Sequence, residues 1–514
     1  MLRPQAADST EHSLERRRVR VDRSGAFALA STDLGSQYAS LYFTRLNLLR
    51  PRVLAAARAR WADSLDNPPE CVQRILNVQV GVPSYVVGTV FVDMPNKPNI
   101  LKDIAKEGWT VFPEARETYT SDNDTVLLED ESGRIALTGE IVRTTVFVTG
   151  IVIGLLGYET EDGEFHVLDV CYPSFEPQPS MPAAPTQADE HGPWVALVSG
   201  LNLGSQGHMD MRHELLLDFL TGESGTAKDQ RAASQIAHVL VCGNLMAPMQ
   251  KPLDPRSRGR SKPAVLHGGV GRATQAPGQT PAGAGSNSGT EPAGQASASA
   301  STEAAMGGFD PLSIATADTF LAELSASIPV DVMPGPSDPT TSFLPQRPIH
   351  ASLFHQASRA SSLHMLPNPC ALAVDGVMFL GEAGQVLDDL GRSTRVARGL
   401  ELASEVLKWG HLAPTAPDTL WCAPFTDTDP LVIGTRPHVL FVGNQPRFET
   451  ALVELPAAGG GHALSQPDES QQARAGRKEA TRVVLVPSFA ATGTIVMLHL
   501  RTLQTKTVEF GTAL

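Results

Sequence analysis

Five short apolar runs in this chain each end in glycine or in a loop that contains it. They read VALVSG (195–200), HVLVCG (238–243), VDVMPG (330–335), VMFLGE (377–382) and HVLFVG (438–443). Runs this apolar show no alternation, so both faces of each strand must be covered. Helical patterns lie between several of them, among them ELLLDFLTG (214–222) and TADTFLAELSASI (316–328). Strands interleaved with helices predict layered α/β sheet with covering helices. In such folds ligands sit beyond the carboxyl ends of the strands. The loop after each run is therefore where any chemistry of this region would be.

Upstream the texture differs. In QYASLYFTRLNLLRPRVLAAARARW (37–61), Tyr38, Leu41, Tyr42, Arg45, Leu46 and Leu49 recur at three- and four-residue steps, which puts the apolar ones on one face. Pro51 interrupts the pattern, which predicts two helices or one kinked helix. From Cys71 to about Ser180 the pattern is that of strands. VQVGVPSYVVGTVFVDM (78–94) is β-branched, and TVLLEDESGRIALTGEI (125–141) alternates around a turn at Asp130–Gly133. Two more strands flank Glu161–Gly163, and one helix is expected over Ile100–Lys106. About five strands and a helix in so few residues fit a small Greek-key barrel of the OB type.

Three stretches read as disordered because they hold too little apolar surface to offset chain ordering. They are the tail 1–36 and the insertions 249–308 and 456–480. The basic run ERRRVR (Glu15–Arg20) reads as a nuclear import signal or a solvated tail. The expected organisation is α+β multidomain. It comprises the tail, a helical segment over 37–70, an OB-type barrel over 71–180 and an α/β domain over 190–514 carrying both insertions.

Composition narrows the function. Over its 514 residues the chain carries a net charge of −14. The barrel region 71–180 holds seventeen acidic against seven basic residues, whereas barrels that grip single-stranded nucleic acid need a basic groove with stacking aromatics. Here Tyr85, Phe91, Phe147, Tyr158 and Phe165 sit in apolar strands and read as core. The longest apolar-rich stretch, Val146–Gly157, is shorter than the roughly 18 residues of a membrane helix. The five cysteines, Cys71, Cys171, Cys242, Cys370 and Cys422, form no C-x-x-C pair, which argues against a disulfide framework or a structural zinc site.

The loops after the apolar runs can be set against those of the calcineurin-like phosphoesterases, whose active members read D-x-H, G-D-x-x-D, G-N-H-D/E and G-H-x-H. Two divalent ions about 3.5–4 Å apart need a bridging carboxylate and several further ligands. In this chain Gly200 and Asn202 occupy the first pair of positions, and Asn244 and Ala247 the second. Pro336 and Ser337 occupy the third, and Asn444 and Pro446 the last. Gly, Ala and Pro supply no side-chain ligand, and a neutral Asn oxygen replaces a bridging carboxylate poorly. His411 reads as a loop-fixing imidazole, and Asp338 and Asp418 as turn residues. The expected sandwich is thus one whose metal site has been erased, with no catalytic, cofactor-binding or metal-ligating residue and no cofactor.

A barrel followed by such a domain resembles the B-subunits of eukaryotic replicative DNA polymerases, and most closely the small-subunit family of polymerase delta. The resemblance rests on YFTRLNLLRP (42–51), VVGTVFVDMPNKPNILKDI (86–104), LEDESGRIALTG (128–139), LVSGLNLG (197–204), VDVMPGPSDPTTSFLPQRPIH (330–350), HLAPTAPDTL (411–420) and PHVLFVGNQP (437–446), in family order. Glu382 and Ala383 depart from it, standing where the family usually has Thr and Ser. The resemblance implies a non-catalytic scaffold in the nucleus, serving replication and repair. Its expected partners are the cysteine-rich C-terminal domain of the catalytic subunit and the third subunit, with the sliding clamp and DNA reached only through the holoenzyme. The rival readings are a B-subunit of polymerase alpha or epsilon, a single-strand DNA-binding barrel and an active metallophosphoesterase.

Overall fold

The computed structural model describes residues 15–29, 37–62, 68–97, 117–181, 192–205, 209–248, 310–454, 463–465 and 479–511. The first element is a three-residue strand, β1 (Val21–Arg23). Helix α1 (Ala39–Ala57) follows and passes through Pro51 into a π-helical turn over Arg58–Ala62. The proline therefore does not divide the segment. A proline inside a helix costs about 3 kcal/mol. Leu46, Leu49 and Val53, on either side of it, are buried against Val87 and Val152, and burying a single aliphatic side chain returns about 1.5–3 kcal/mol.

α1 lies against a barrel built from β2 (Glu70–Val72), β3 (Ser84–Asp93), β4 (Thr125–Glu129), β5 (Arg134–Thr138), β6 (Val152–Glu159) and β7 (Phe165–Cys171). The strand order is β3-β4-β5-β7-β6, and β6 pairs back onto β3, so the sheet closes. A short helix, α2 (Glu140–Thr144), follows β5. The β4–β5 turn forms because the Asp130 carboxylate accepts from the Ser132 and Gly133 backbone N–H groups at 2.7 and 3.1 Å. The helix expected over Ile100–Lys106 falls outside the described residues.

The remaining chain forms two sheets. The first contains β8 (Trp194–Val198), β9 (Ile236–Cys242), β10 (Val330–Met333) and β11 (Leu363–Met365), and is completed by β18 (Thr494–His499) and β19 (Thr505–Glu509). Its order is β11-β10-β9-β8-β18-β19, with the first four strands parallel. The second contains β12 (Cys370–Val374), β13 (Val377–Glu382), β14 (Val439–Gln445), β15 (Glu449–Glu454), β16 (Ala463–Ser465) and β17 (Ala480–Pro487). Its order is β1-β12-β13-β14-β17-β15-β16, with β13, β14 and β17 parallel.

Alternation decides how the sheets stack. In β8, Val195 and Leu197 enter a core shared with Phe379, Phe441 and Val484 of the second sheet. Ala196 and Val198 enter the opposite core. There they meet helices α3 (Met211–Thr221) and α5 (Pro311–Ser327) through Leu216, Leu220, Phe320 and Leu324; α4 (Ala227–Ser234) precedes β9. The far side of the second sheet meets α6 (Gln385–Ser393) and α7 (Gly399–Trp409) in a core continuous with the barrel. A last short helix, α8 (Phe489–Thr492), joins β17 to β18.

Two expectations of disorder are corrected. Residues 15–29 are ordered, because β1 pairs with β12 and Phe27 is buried. Within 456–480, residues 463–465 form β16, whose backbone extends the sheet by pairing with β15. Insertion 249–308 lies outside the described residues.

Candidate functional site at the sheet ends

The parallel strands of both sheets deliver their carboxyl ends to one place. β8 runs out at Ser199 and Gly200, β9 at Gly243 and Asn244, β10 at Gly335–Asp338, β13 at Ala383 and β17 at Ser488, while Asn444 is the next-to-last residue of β14. Three of the positions singled out in the sequence, Asn202, Asn244 and Asn444, have φ of 48°, 53° and 56°. This left-handed region suits Asn better than any other residue with a β-carbon except Asp and His. The asparagines therefore have a backbone reason to be where they are.

Their side chains and neighbours bond to one another. Asn444 Nδ2 donates to the Ala383 carbonyl at 2.8 Å, and its backbone N–H donates to Ser199 Oγ at 2.9 Å. Ser199 Oγ donates on to the Val486 and Pro487 carbonyls at 3.1 and 3.0 Å. Asn244 Oδ1 accepts from the Ser337 N–H at 3.1 Å and from Ser337 Oγ at 2.9 Å. The Asn202 N–H donates to the Asn244 carbonyl at 3.1 Å. A side chain on Gly243 would begin 2.6 Å from the Ala383 β-carbon, so the loops touch where a ligand cleft would open. Pro336 and Pro446 are exposed, and Ala247 offers only its N–H, which donates to the Leu203 carbonyl at 3.0 Å.

Two carboxyl groups lie close by, and both are buried. Asp338 accepts from the N–H groups of Gly335, Leu245 and Met246 at 2.8, 3.1 and 2.9 Å. Burial pushes its pKa up to about 6, against the pull of these bonds. Glu382 accepts from the Gly384 N–H at 2.6 Å, and burial raises it to about 8. Each carboxyl group is turned into its own loop. Among the described residues, no group of three or more His, Cys, Asp or Glu could hold a metal ion.

His411 is elsewhere. Its Nε2 lies 2.9 Å from Asp429 Oδ2, and its Nδ1 accepts from the Ala413 N–H at 3.1 Å. The same Asp429 oxygen accepts from Arg45 Nε at 2.9 Å. Arg45 belongs to α1 and also donates to the Pro414 and Ala416 carbonyls at 2.7 and 2.8 Å. All three side chains are fully buried. Asp418 pairs with Lys97 of the barrel region. The residues between Gly410 and Leu431 are thus a junction between barrel, α1 and sandwich. Nothing in the sequence marks Asp429 as its centre. Arg45 carried a signal, since a cation on the apolar face of an amphipathic helix needs a buried anion.

Comparison with known proteins places this architecture. The class is that of the polymerase B-subunits: a model of the DNA polymerase delta subunit OB-fold domain matches residues 37–170, and one of the DNA polymerase alpha/epsilon B-subunit matches residues 195–450. The DNA polymerase delta small subunit of Arabidopsis thaliana is 33% identical over 93% of this chain and 92% of its own length. That of Saccharomyces cerevisiae is 32% identical over 97% and 96%. The DNA polymerase delta subunit 2 of Drosophila melanogaster is 29% identical over 95% and 96%. The chain belongs to the DNA polymerase delta small-subunit family.

Proposed function

We propose that this chain is the non-catalytic scaffold subunit of a nuclear DNA polymerase delta, and that its sandwich is a calcineurin-like phosphoesterase fold without activity. One observation carries the reading. At the sheet ends, none of the positions where such enzymes keep their ligands holds an acid or an imidazole, and the Asn244 oxygen is already taken by Ser337. Asn444 offers only a neutral amide, whose Nδ2 donates to the Ala383 carbonyl, and a neutral oxygen replaces a bridging carboxylate poorly.

The partners we assign are the cysteine-rich C-terminal domain of the catalytic subunit and the elongated third subunit. A scaffold needs a stiff body and exposed contact surface. The Arg45–Asp429–His411 junction supplies stiffness by joining α1 and the barrel to the sandwich through charges that have no route to water. Leu76 and Trp421, 73% and 68% exposed, are apolar groups of the kind that partners cover.

Affinity capture of the tagged chain at physiological salt tests the reading. Stoichiometric recovery of a polymerase catalytic subunit is expected. Recovery of the chain with no polymerase, or with that of another replicative class, would overturn it.

A further inference from the structure

The basic run Glu15–Arg20 opens a segment whose contacts reach both sheets. Arg16 Nη1 donates to the Ala233 and Ile236 carbonyls at 3.1 and 2.8 Å, and Nη2 to those of Leu220 and Thr221 at 2.8 and 3.2 Å. Three of these four oxygens close the last turns of α3 and α4, where carbonyls have no partner inside the helix and the dipole favours a cation. The Arg17 N–H donates to the Ser234 carbonyl at 3.1 Å. Val19 and Val21 pack on the core between the sheets.

Further on, β1 pairs antiparallel with β12, and hydrogen bonds from Asp375 N to Arg20 O and from Ser24 N to Ala371 O bracket the pairing at 2.7 and 3.0 Å. Arg23 Nε then reaches Asp331 Oδ1 in β10 of the other sheet at 2.9 Å. Asp331 is fully buried, and its second oxygen meets His238 Nε2 at 3.1 Å. Phe27 ends the segment in the core that the second sheet shares with the barrel. The segment is therefore anchored at helix ends, sheet edge, buried carboxylate and core in turn.

We propose that residues 15–29 form an intramolecular strap anchored by Arg16 and Arg23, and that the folded subunit, although the Arg18 and Arg20 side chains are exposed, thereby holds the backbone of its basic run against the sandwich and withholds it from any receptor that must seat it as a free extended peptide. The strap also covers the edge of β12, which otherwise presents unpaired backbone groups to a second chain. A receptor gains the backbone of the run only after the strap leaves, and that leaves the buried Asp331 carboxylate without its guanidinium, facing only the imidazoles of His238 and His364 at 3.1 and 3.7 Å.

Trypsin is a convenient reader of such a run, since it takes an extended arginine into an acidic pocket. In the full-length chain, cutting after Arg17, Arg18 and Arg20 should be slow. Replacing both anchors, Arg16→Met with Arg23→Met, should speed it about tenfold, because cleavage follows the population of the open form. A second variant keeps the test sharp if the first folds poorly. Val21 and Val374 are directly opposed and lie between the bracketing hydrogen bonds, a pairing whose short spacing suits a disulfide. Val21→Cys with Val374→Cys should close an intrachain disulfide under oxidised glutathione and make the run resistant to trypsin. Equal cutting of the wild-type chain and the anchor variant, or no cross-link in the folded chain, would overturn the proposal.

Discussion

The Asn444 carboxamide oxygen lies 2.8 Å from the point where a β-carbon on Gly200 would sit, and the Gly200 backbone has a φ of +59°. The two positions belong to different sheets, and the space between them is occupied. Restoring an acid at 200 would have to displace Asn444 and Ser488 and strain the backbone as well. Gly200→Asp is expected to destabilise the chain by about 2–4 kcal/mol without creating a metal site. Thermal melting with and without manganese checks this; a metal-dependent rise in Tm would contradict it.

The junction centred on Asp429 should be among the most sensitive places in the chain. Arg45→Met leaves a buried carboxylate with no cation, held only by His411 and the Leu431 N–H, and breaking a buried pair from one side costs about 3–5 kcal/mol. Asp429→Leu alone should cost a similar amount. The double substitution should recover part of the loss, since no charge is then left unpaired. Urea unfolding of the three variants measures the coupling, and strict additivity would show that the pair carries no linkage between barrel and sandwich.

Glu382 predicts the alkaline limb of stability. Its folded pKa of about 8 lies above the ordinary carboxyl value of 4.5, because burial favours the neutral form. Between those values the folded state holds a proton that the unfolded state has released. Stability therefore falls as pH rises through this window, by at most about 1.4 kcal/mol per pH unit, and levels off above 8. Glu382→Gln removes the titration and should flatten the curve, making the variant relatively more stable at the alkaline end. Urea midpoints across the range test this, and identical slopes for the two proteins would contradict it.

On the acid side the sign is reversed for His411. Burial, reinforced by Arg45, lowers its pKa to about 4, and the nearby Asp429 only partly opposes this. Below the ordinary histidine value of 6.5 the unfolded chain takes up a proton that the folded one does not. Stability should fall as pH drops from 6.5 towards 4. A separate loss from Asp429, whose pKa is held below the ordinary carboxylate value by His411 and Arg45 despite burial, sets in only as pH falls through 3.8 and below. His411→Asn should soften this limb in the same unfolding series; an unchanged acid limb would sink the assignment.

A scaffold built to be covered should behave poorly when bare. Expressed alone, the chain is expected to aggregate, and co-expression with the third subunit should return it to solution. Sedimentation of the two preparations at matched concentration decides; equal solubility would contradict the scaffold reading.

The sequence made the strands legible wherever burial on both faces left an uninterrupted apolar run, as in VALVSG and HVLVCG. It also located the loops that meet at the sheet ends, because strand direction fixes where carboxyl ends lie. It could not reveal that Asn202, Asn244 and Asn444 share a left-handed backbone, since the need arises only when the loops converge. The strap was hidden for a related reason. An arginine-rich segment has no apolar periodicity, and its order comes from carbonyls and a carboxylate supplied by residues some two to three hundred positions away. Pro51 left two helices and one kinked helix equally open, and a single helix runs through it because the packing of its neighbours, not the propensity of one position, holds it.

Whether the sheet ends hold metal is tested most directly by the metal content of the full chain co-purified with the third subunit, measured after dialysis against manganese and then against metal-free buffer. A non-catalytic scaffold should retain well under one ion per chain and show no measurable phosphodiesterase activity. Two tightly held divalent ions per chain, lost on replacing Asn244 and Asn444 by alanine, would contradict it.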